Sequence, residues 1–326
     1  MSQDQAGQIA AAVAALRRGE VIGLPTETVY GLAADAANAE AVGRIFALKG
    51  RPADHPLIVH IGEAAGLSQW TRGHSPLAEK LAAAFWPGPL TMILPRSDAV
   101  PDAVTGGQDT VGLRCPAHPL ALQLLRAFGG GLAAPSANRF GRISPTSAAH
   151  VREEFGAGVP LVLDGGDCEV GIESTIIDLS SEQPRILRPG RITQAQIEAV
   201  IGPVGQEANA SSPRASGTLE AHYAPSTPML LLPRAALENE AREQAAFGKR
   251  IAVLALGALP AEASGLALPN DADAYAHGLY AAMRRLDAGG QQLLLVERPP
   301  DGAQWLAVHD RLRRAAAGAG GEDDSP

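Results

Sequence analysis

Apolar residues recur along this chain at two alternating periods. Ile9, Val13 and Leu16 stand at helical spacing and Gly19 follows, predicting a helix over Gln3–Arg18 with a glycine stop. The unbroken run Val21–Leu24 predicts a buried strand, and Val42, Ile45, Phe46 and Leu48 predict a helix over Asn38–Leu48. Pro52 and Pro56 then bar further helix, and Leu57–Ile61 reads as a second strand. The same reading gives helix Leu77–Phe85, closed by Trp86-Pro87-Gly88-Pro89, with strand Leu90–Leu94 behind it. Strand Thr110–Arg114, helix Pro119–Phe128, strand Gly131–Ala134, helix Ser147–Phe155 and strand Leu161–Asp164 follow. Ser174–Asp178 and Arg185–Arg188 read as a sheet pair, and Thr193–Ile201 as a closing helix. Gly202–Ser216 has almost nothing to bury and reads as a linker. Beyond it, strands Met229–Leu232, Ile251–Leu256 and Gln292–Val296 alternate with helices Ala235–Phe247, Ala272–Leu286 and Gln304–Ala316, as in a small parallel sheet. The pattern therefore predicts an α/β domain over 1–202, a linker over 203–227, a smaller α/β domain over 228–317 and a disordered tail over 318–326.

Composition changes this picture little. A hydrophobic content of 46% and a charged content of 19% are those of an ordinary globular protein, and 326 residues suffice for two cores. The net charge of −8 argues against wholesale wrapping of nucleic acid, while leaving room for a local basic cleft. Lys stands at only three positions (49, 80 and 249) among 27 cationic residues, so Lys49 marks a place where the chain's default Arg was not used. Cys115 and Cys168 lack CxxC or CxxH spacing, which predicts buried thiols and neither a disulfide framework nor a zinc site. No apolar run reaches membrane-spanning length and the first residues lack the order of a signal peptide, so a cytoplasmic setting is expected.

The candidate chemistry sits at strand ends. Thr26, Glu27 and Thr28 close the first strand, His60 the second, Arg114 a third and Arg188 a fourth; Lys49 and Arg51 follow a helix. Strand ends and adjoining loops are where α/β proteins hold ligands. None of GxxxxGK[ST], GxGxxG after a strand, or HExxH is present, and Gly106-Gly107 and Gly165-Gly166 read as plain turns. Taken singly, each feature has a structural explanation. A helix end favours Lys49 and Arg51 through its dipole, an edge salt bridge accounts for Arg114 or Arg188, and Ser136, Asn138, Ser174, Thr26 and Thr28 are ordinary cap or turn residues. Together, four cations at element ends form a pattern that grips a polyphosphate and a carboxylate. The pattern reading stops at an anion-binding α/β domain followed by a smaller one.

Taken in order, Pro25–Leu32 (PTETVYGL), Lys49–Ile61 (KGRP with HPLIVHI), Trp86–Thr91 (WPGPLT), Thr110–Pro119 (TVGLRCPAHP), Ala134–Thr146 (APSAN with SPT), Gly171–Asp178 (GIESTIID) and Leu187–Gly190 (LRPG) resemble the threonylcarbamoyl-AMP synthase family in its long form. The resemblance covers roughly the first 200 residues; His222–Pro225 (HYAP) adds to it, and the C-terminal part matches in position and α/β character. It implies a twisted mixed-sheet YrdC-like domain followed by a smaller Rossmann-like parallel α/β domain. The implied reaction converts L-threonine, bicarbonate or CO2, and ATP to threonylcarbamoyl-AMP and pyrophosphate, for threonylcarbamoyladenosine modification of tRNA. By position, Lys49 and Arg51 are expected as catalytic, ATP-phosphate-binding residues. Thr110, Ser136, Asn138, Ser144, Arg188 and Tyr223 are expected on ATP, and Thr26, His60, Arg114 and Ser174 on threonine. No metal-ligating residue is implied, Mg2+ being carried on the phosphates; RNA and the downstream tRNA threonylcarbamoyl-transferase machinery are further implied partners. Tyr223, on the linker, is expected to act in a lid. Phe140 departs from the small residue usual in the family's SANxSGxxSPT run, which bears on the shape of that loop.

Two rivals stand beside this reading. A double-stranded RNA or ribosome-associated protein would use the same basic concavity, against the net charge of −8. A carbamoyltransferase of the hydrogenase-maturation type would need zinc fingers, which two cysteines without CxxC do not supply.

Overall fold

The computed structural model describes residues 3–206, 212–261 and 263–320; part of the predicted linker (207–211) and of the predicted tail (321–326) lies outside the described residues. The chain forms two compact units. The first comprises Met1–Arg139, Pro145–Glu169 and Glu173–Thr218; the second comprises Phe140–Ser144, Val170–Ile172 and Leu219–Pro326.

Among the described residues, nine strands build a curled mixed sheet in the first unit. They are β1 (Ile22–Leu24), β2 (Gly31–Asp35), β3 (Ile58–His60), β4 (Leu90–Pro95), β5 (Thr110–Arg114), β6 (Leu132–Ala133), β7 (Thr175–Asp178), β8 (Arg185–Arg188) and β9 (Gly205–Gln206), in spatial order β1-β2-β6-β3-β5-β4-β7-β8-β9. β3–β5, β4–β7 and β8–β9 pair parallel, and the remaining neighbours antiparallel. Successive residues of β2 serve different cores: Leu32 and Ala34 join Val42, Ile45, Leu57 and Leu113, while Ala33 joins Ile9, Leu16, Leu24 and Leu124. A strand buried on both faces has no polar face, which is why these segments read as unbroken apolar runs. β2 itself is absent from the sequence expectation: its Gly-Leu-Ala-Ala-Asp carries little strand propensity, and packing decides it.

One predicted strand is corrected. Leu161–Asp164 is a loop that touches β1 through a single bridge, Gly23 to Val162. It is held there by Gly23 N donating to Leu161 O at 2.9 Å and Leu163 N donating to Gly23 O at 3.0 Å. The glycine pair after it continues this loop, held by the Tyr30 hydroxyl donating to Gly166 O at 2.7 Å.

In the second unit, β10 (Met229–Leu232), β11 (Ile251–Leu256), β12 (Gly265–Leu268) and β13 (Leu293–Glu297) form a parallel sheet in the order β10-β13-β11-β12. The edge strand β12 is an addition to the three predicted strands. The smaller parallel α/β unit is as the sequence implies. Among the described residues no helix is long and apolar enough to cross a membrane.

Candidate active site

The first unit's sheet register lines up the predicted polar positions. His60 sits opposite Arg114 across β3 and β5, and Arg114 lies one step beyond the Leu113–Met92 pair of β5 and β4. Leu90 of β4 faces Thr175 of β7, and Ile176 faces Arg188 of β8. Five adjacent strands thus bring His60, Arg114, Thr91, Ser174 and Arg188 to one end of the sheet. Thr91 and Ser174 join through their hydroxyls at 2.8 Å. Arg188 clamps Ser174, donating from Nε and Nη2 to its carbonyl at 3.1 and 2.9 Å and from Nη2 to its hydroxyl at 3.2 Å.

The Pro25–Val29 turn fixes the other side of this row. The Thr26 hydroxyl donates to Val29 O at 2.6 Å and accepts from the amides of Thr28 and Val29, both at 3.2 Å. With that proton committed, the 2.9 Å contact between the two threonines has Thr28 as donor. Thr28 in turn accepts Arg114 Nη1 at 2.8 Å, and Arg114 Nη2 pairs with Glu27 Oε1 at 2.6 Å. The guanidinium is steadied from the far side by Nε donating to Gly88 O at 3.3 Å. Gly88 has to be glycine, because a Cβ there would lie 2.2 Å from Phe85 O. Sequence reasoning placed Arg114 and Thr26 at this site but gave Glu27 and Thr91 no role; their partners lie far away along the chain.

His60 is buried beside Arg114, with Nδ1 3.3 Å from Ile58 O. Burial, reinforced by the Arg114 charge, pushes its pKa down to about 3, so the imidazole is neutral at physiological pH. Lys49 is 2% exposed, and its Nζ donates to the carbonyls of Ser136 and Asn138, each at 2.5 Å. It therefore holds the Ser-Ala-Asn turn in place. Burial and the neighbouring Arg51 charge hold the Lys49 pKa well below the usual lysine range.

Arg51 and Arg188 meet at a residue that the sequence offered no reason to single out. Ser216 accepts Arg188 Nη1 on its carbonyl at 2.9 Å and Arg51 Nη2 on its hydroxyl at 3.4 Å, while that hydroxyl donates to Pro56 O at 2.7 Å. The stretch read as linker is therefore packed against the first unit from Arg214 to Ser216. Arg214 reaches Asp54 at 3.1 Å and Gly106 O at 2.8 Å, and Ala215 is buried with Ile93, Ile176 and Leu187. Beneath it lies a cavity lined by Ile58, Ile93, Thr110, Gly112, Ile176 and Ser216. Thr26, Lys49, Arg51, His60, Thr110, Arg114, Ser136, Asn138, Ser174 and Arg188 all belong to the first unit.

Ser144 and Tyr223 belong to the second unit. Tyr223 is 1% exposed, stacks on Tyr280 at a centroid distance of 5.8 Å, and has the Arg311 guanidinium 5.2 Å from its ring centre. Phe140, the departure noted in the sequence, meets His222 edge-on at 6.0 Å in the same unit. Cys115 and Cys168 are buried thiols, as expected; burial pushes Cys115 up to about 11 and Cys168 higher still.

Comparison with known proteins gives concordant results over most of the chain. A Sua5–YciO–YrdC family model described as "Telomere recombination" matches residues 14–190, and one described as "Threonylcarbamoyl-AMP synthase, C-terminal domain" matches residues 192–317. The threonylcarbamoyl-AMP synthase of Pyrococcus abyssi is 41% identical over 312 residues, covering 92% of each chain. That of Bacillus subtilis is 41% identical over 323 residues, covering 95% of this chain and 93% of its own. Among solved structures, P. abyssi Sua5 complexed with L-threonine superposes with a TM-score of 0.90 at 39% identity, covering 95% of this chain and 94% of that one.

Proposed function

The chain belongs to the threonylcarbamoyl-AMP synthase family, and on that premise we propose how the row of polar strand ends in its first unit performs the family's reaction. The reaction joins L-threonine, bicarbonate or CO2, and ATP into threonylcarbamoyl-AMP, releasing pyrophosphate, and serves tRNA modification. The observation that carries the assignment is the continuous row His60, Arg114, Thr91, Ser174 and Arg188 across five strands, with Arg51 joined to Arg188 through Ser216 and Lys49 feeling the Arg51 charge. An amino acid and a triphosphate need such a site: one cation for a carboxylate and several for phosphates, on a rigid sheet. RNA binding as the primary role draws no support from these relatives.

Threonine's carboxylate takes the N–H groups that Arg114 does not spend on Thr28, Glu27 and Gly88. Ser174, oriented by Thr91 and Arg188, and neutral His60 flank the side chain and amine. The Thr26 hydroxyl is committed to its own turn, so Thr26 acts by shaping the turn around the substrate. Arg51 and Arg188 take the phosphates, displacing or sharing Ser216, and Lys49 fixes the Ser136–Asn138 turn against the nucleotide, phosphate charge favouring its ammonium form. Thr110, at the start of β5, is assigned to the rest of ATP. The amine, once its ammonium has given up a proton to bicarbonate or water, attacks the carbon of CO2 and loses a second proton the same way, giving a carbamate whose oxygen attacks the α-phosphorus in line. The bond to the β-phosphate breaks, and pyrophosphate carries the electron pair away beside Lys49 and Arg51. Mg2+ enters with ATP as part of the substrate; among the described residues no group of three or more His, Cys, Asp or Glu converges to hold an ion. A cytoplasmic setting, where ATP and tRNA meet, fits this scheme, with the tRNA-modifying transferase as consumer of the adenylate.

The test is pyrophosphate release from ATP by the purified protein, with and without threonine and bicarbonate, and with serine in place of threonine. Release that requires all three substrates, with AMP appearing as the adenylate decays and Arg51→Ala slowing it, is the expected result. Folded protein that releases no pyrophosphate above background, or does so without threonine, overturns the assignment.

A further inference from the structure

One carboxylate of the first unit enters the scheme above only as a partner of Arg114. Glu27 lies between the two threonines of the Pro25–Val29 turn, is 4% exposed, and holds Arg114 Nη2 through Oε1 at 2.6 Å. Its second oxygen, Oε2, is buried and meets no hydrogen-bond donor among the described residues. A carboxylate oxygen withdrawn from water without a donor is strongly unfavourable. A carboxylate serving solely as counter-ion to a buried arginine reaches its best geometry with both oxygens on the guanidinium fork. Here Arg114 spends Nη1 on Thr28 and Nε on Gly88 O, and meets Glu27 through Nη2 alone. Cys115 and Cys168, whose thiols feel the Glu27 charge, are held protonated by burial, and a thiol is at best a weak donor. The turn therefore leaves one buried acceptor, Oε2, beside a guanidinium with two N–H groups to spare.

The ligand that satisfies both is a zwitterion. Its carboxylate takes the spare guanidinium N–H groups, and its ammonium supplies the donor that Oε2 lacks. The Arg114–Glu27 pair is neutral as a unit, as is an amino acid, and each ligand charge meets its opposite in a dry site. The hydroxy acid of the same shape satisfies Arg114 but brings a weaker, uncharged donor to Oε2. We propose that Glu27 recognises the α-ammonium group of the amino-acid substrate through Oε2, and so selects an amino acid over the corresponding hydroxy acid. This inference rests on the synthase reading and goes beyond it by giving the amine its own receptor.

The experiment compares calorimetric binding of L-threonine and of 2,3-dihydroxybutanoate of the same configuration, in which a hydroxyl replaces the amine. Wild-type protein is expected to favour threonine by about ten- to hundredfold, the range of one charged hydrogen bond. Glu27→Gln is expected to bring the two affinities within about threefold of each other, because its amide donor now faces the ammonium. A counter-ion role alone predicts a different result: both affinities fall together as Arg114 loosens, and the preference survives. That outcome overturns the inference, as does a wild-type protein that binds both ligands equally. Should Glu27→Gln fail to fold, the wild-type ratio and Glu27→Asp, whose carboxylate retreats by one methylene, decide: Glu27→Asp must narrow the preference. Protein that binds neither ligand and releases no pyrophosphate fails at the synthase reading itself.

Discussion

His60 shows how one buried side chain ties stability to the chemistry. Its imidazole shares the end of β3 with the Arg114 guanidinium, and burial first, the arginine second, lower its pKa to about 3. The unfolded chain binds that proton near pH 6.5. Between pH 6.5 and 3 the unfolded state therefore carries a proton that the folded state refuses, and stability is lost as pH falls through this window. Above pH 6.5 the residue contributes no pH dependence. The expected loss is on the order of 2 kcal/mol between pH 7.5 and pH 5. Urea unfolding of wild type and His60→Gln at both values isolates the histidine: the variant should lose less stability than wild type by about that amount, and equal losses sink the assignment. The sequence exposed some residues of this site and hid others for a physical reason. Lys49, Arg51, Arg114 and Arg188 could be found because fixed charges at the ends of apolar runs need partners. The pairing of Arg114 with Glu27, or of Arg188 with Ser216, joins positions far apart in the chain and appears once the sheet register is known.

Strand β5 shows what a single element contributes to the site. Alternation puts Thr110, Gly112 and Arg114 on one face of the strand, with the central position bare. The cavity opens over that bare position, floored by Ile58, Ile93 and Ile176. A Cβ on Gly112 would meet Ile58 Cγ1 at 3.5 Å and Thr91 Cγ2 at 3.6 Å, ordinary contacts that the fold accommodates. Gly112→Ala should accordingly leave stability within about 1 kcal/mol of wild type, helped by the lower backbone entropy of the unfolded chain. The added methyl nevertheless projects between Thr110, assigned to ATP, and Arg114, so KM for ATP should rise by roughly fivefold or more, the cost of crowding a packed site. An unchanged KM with unchanged thermal unfolding would place ATP elsewhere. The elements themselves were legible where apolar residues run together or repeat at helical spacing, as in β4 and the helix Ala39–Lys49. They were not legible where packing overrides propensity. The alanine-rich β2 is a strand because both its faces are covered, and Leu161–Asp164 stays a loop despite its apolar run.

At the scale of the molecule, the order of the chain and its division into units disagree. The second unit is assembled from three stretches, two of which, Phe140–Ser144 and Val170–Ile172, interrupt the sequence of the first. The short stretches are integral: Arg142 forms a bridge with Ala224, the Ala224 amide donates to Gly141 O at 2.8 Å, and Arg284 donates to Ile143 O at 2.6 Å. Phe140, out of place by the family's sequence habit, finds its reason here against His222. A linear reading assigns these residues to the first domain, because nothing in local pattern reports a partner so far along the chain. Gly171 makes the consequence measurable. It sits at φ +80°, and a Cβ there would lie 2.5 Å from His277 O and 2.6 Å from Ala276 O, in the helix Ala272–Asp287. Both the backbone conformation and the approach exclude a side chain, so Gly171→Ala should cost about 1–3 kcal/mol. The damage should appear in the second unit, although the substitution lies among the motifs of the first. Hydrogen exchange reads this directly: amides of Ala272–Asp287 and of β11 should lose protection, while those of β3, β4 and β5 keep theirs. Uniform loss across both sheets would mean that the two units unfold as one cooperative body. Loss confined to the first unit's strands would remove Val170–Ile172 from the second unit altogether.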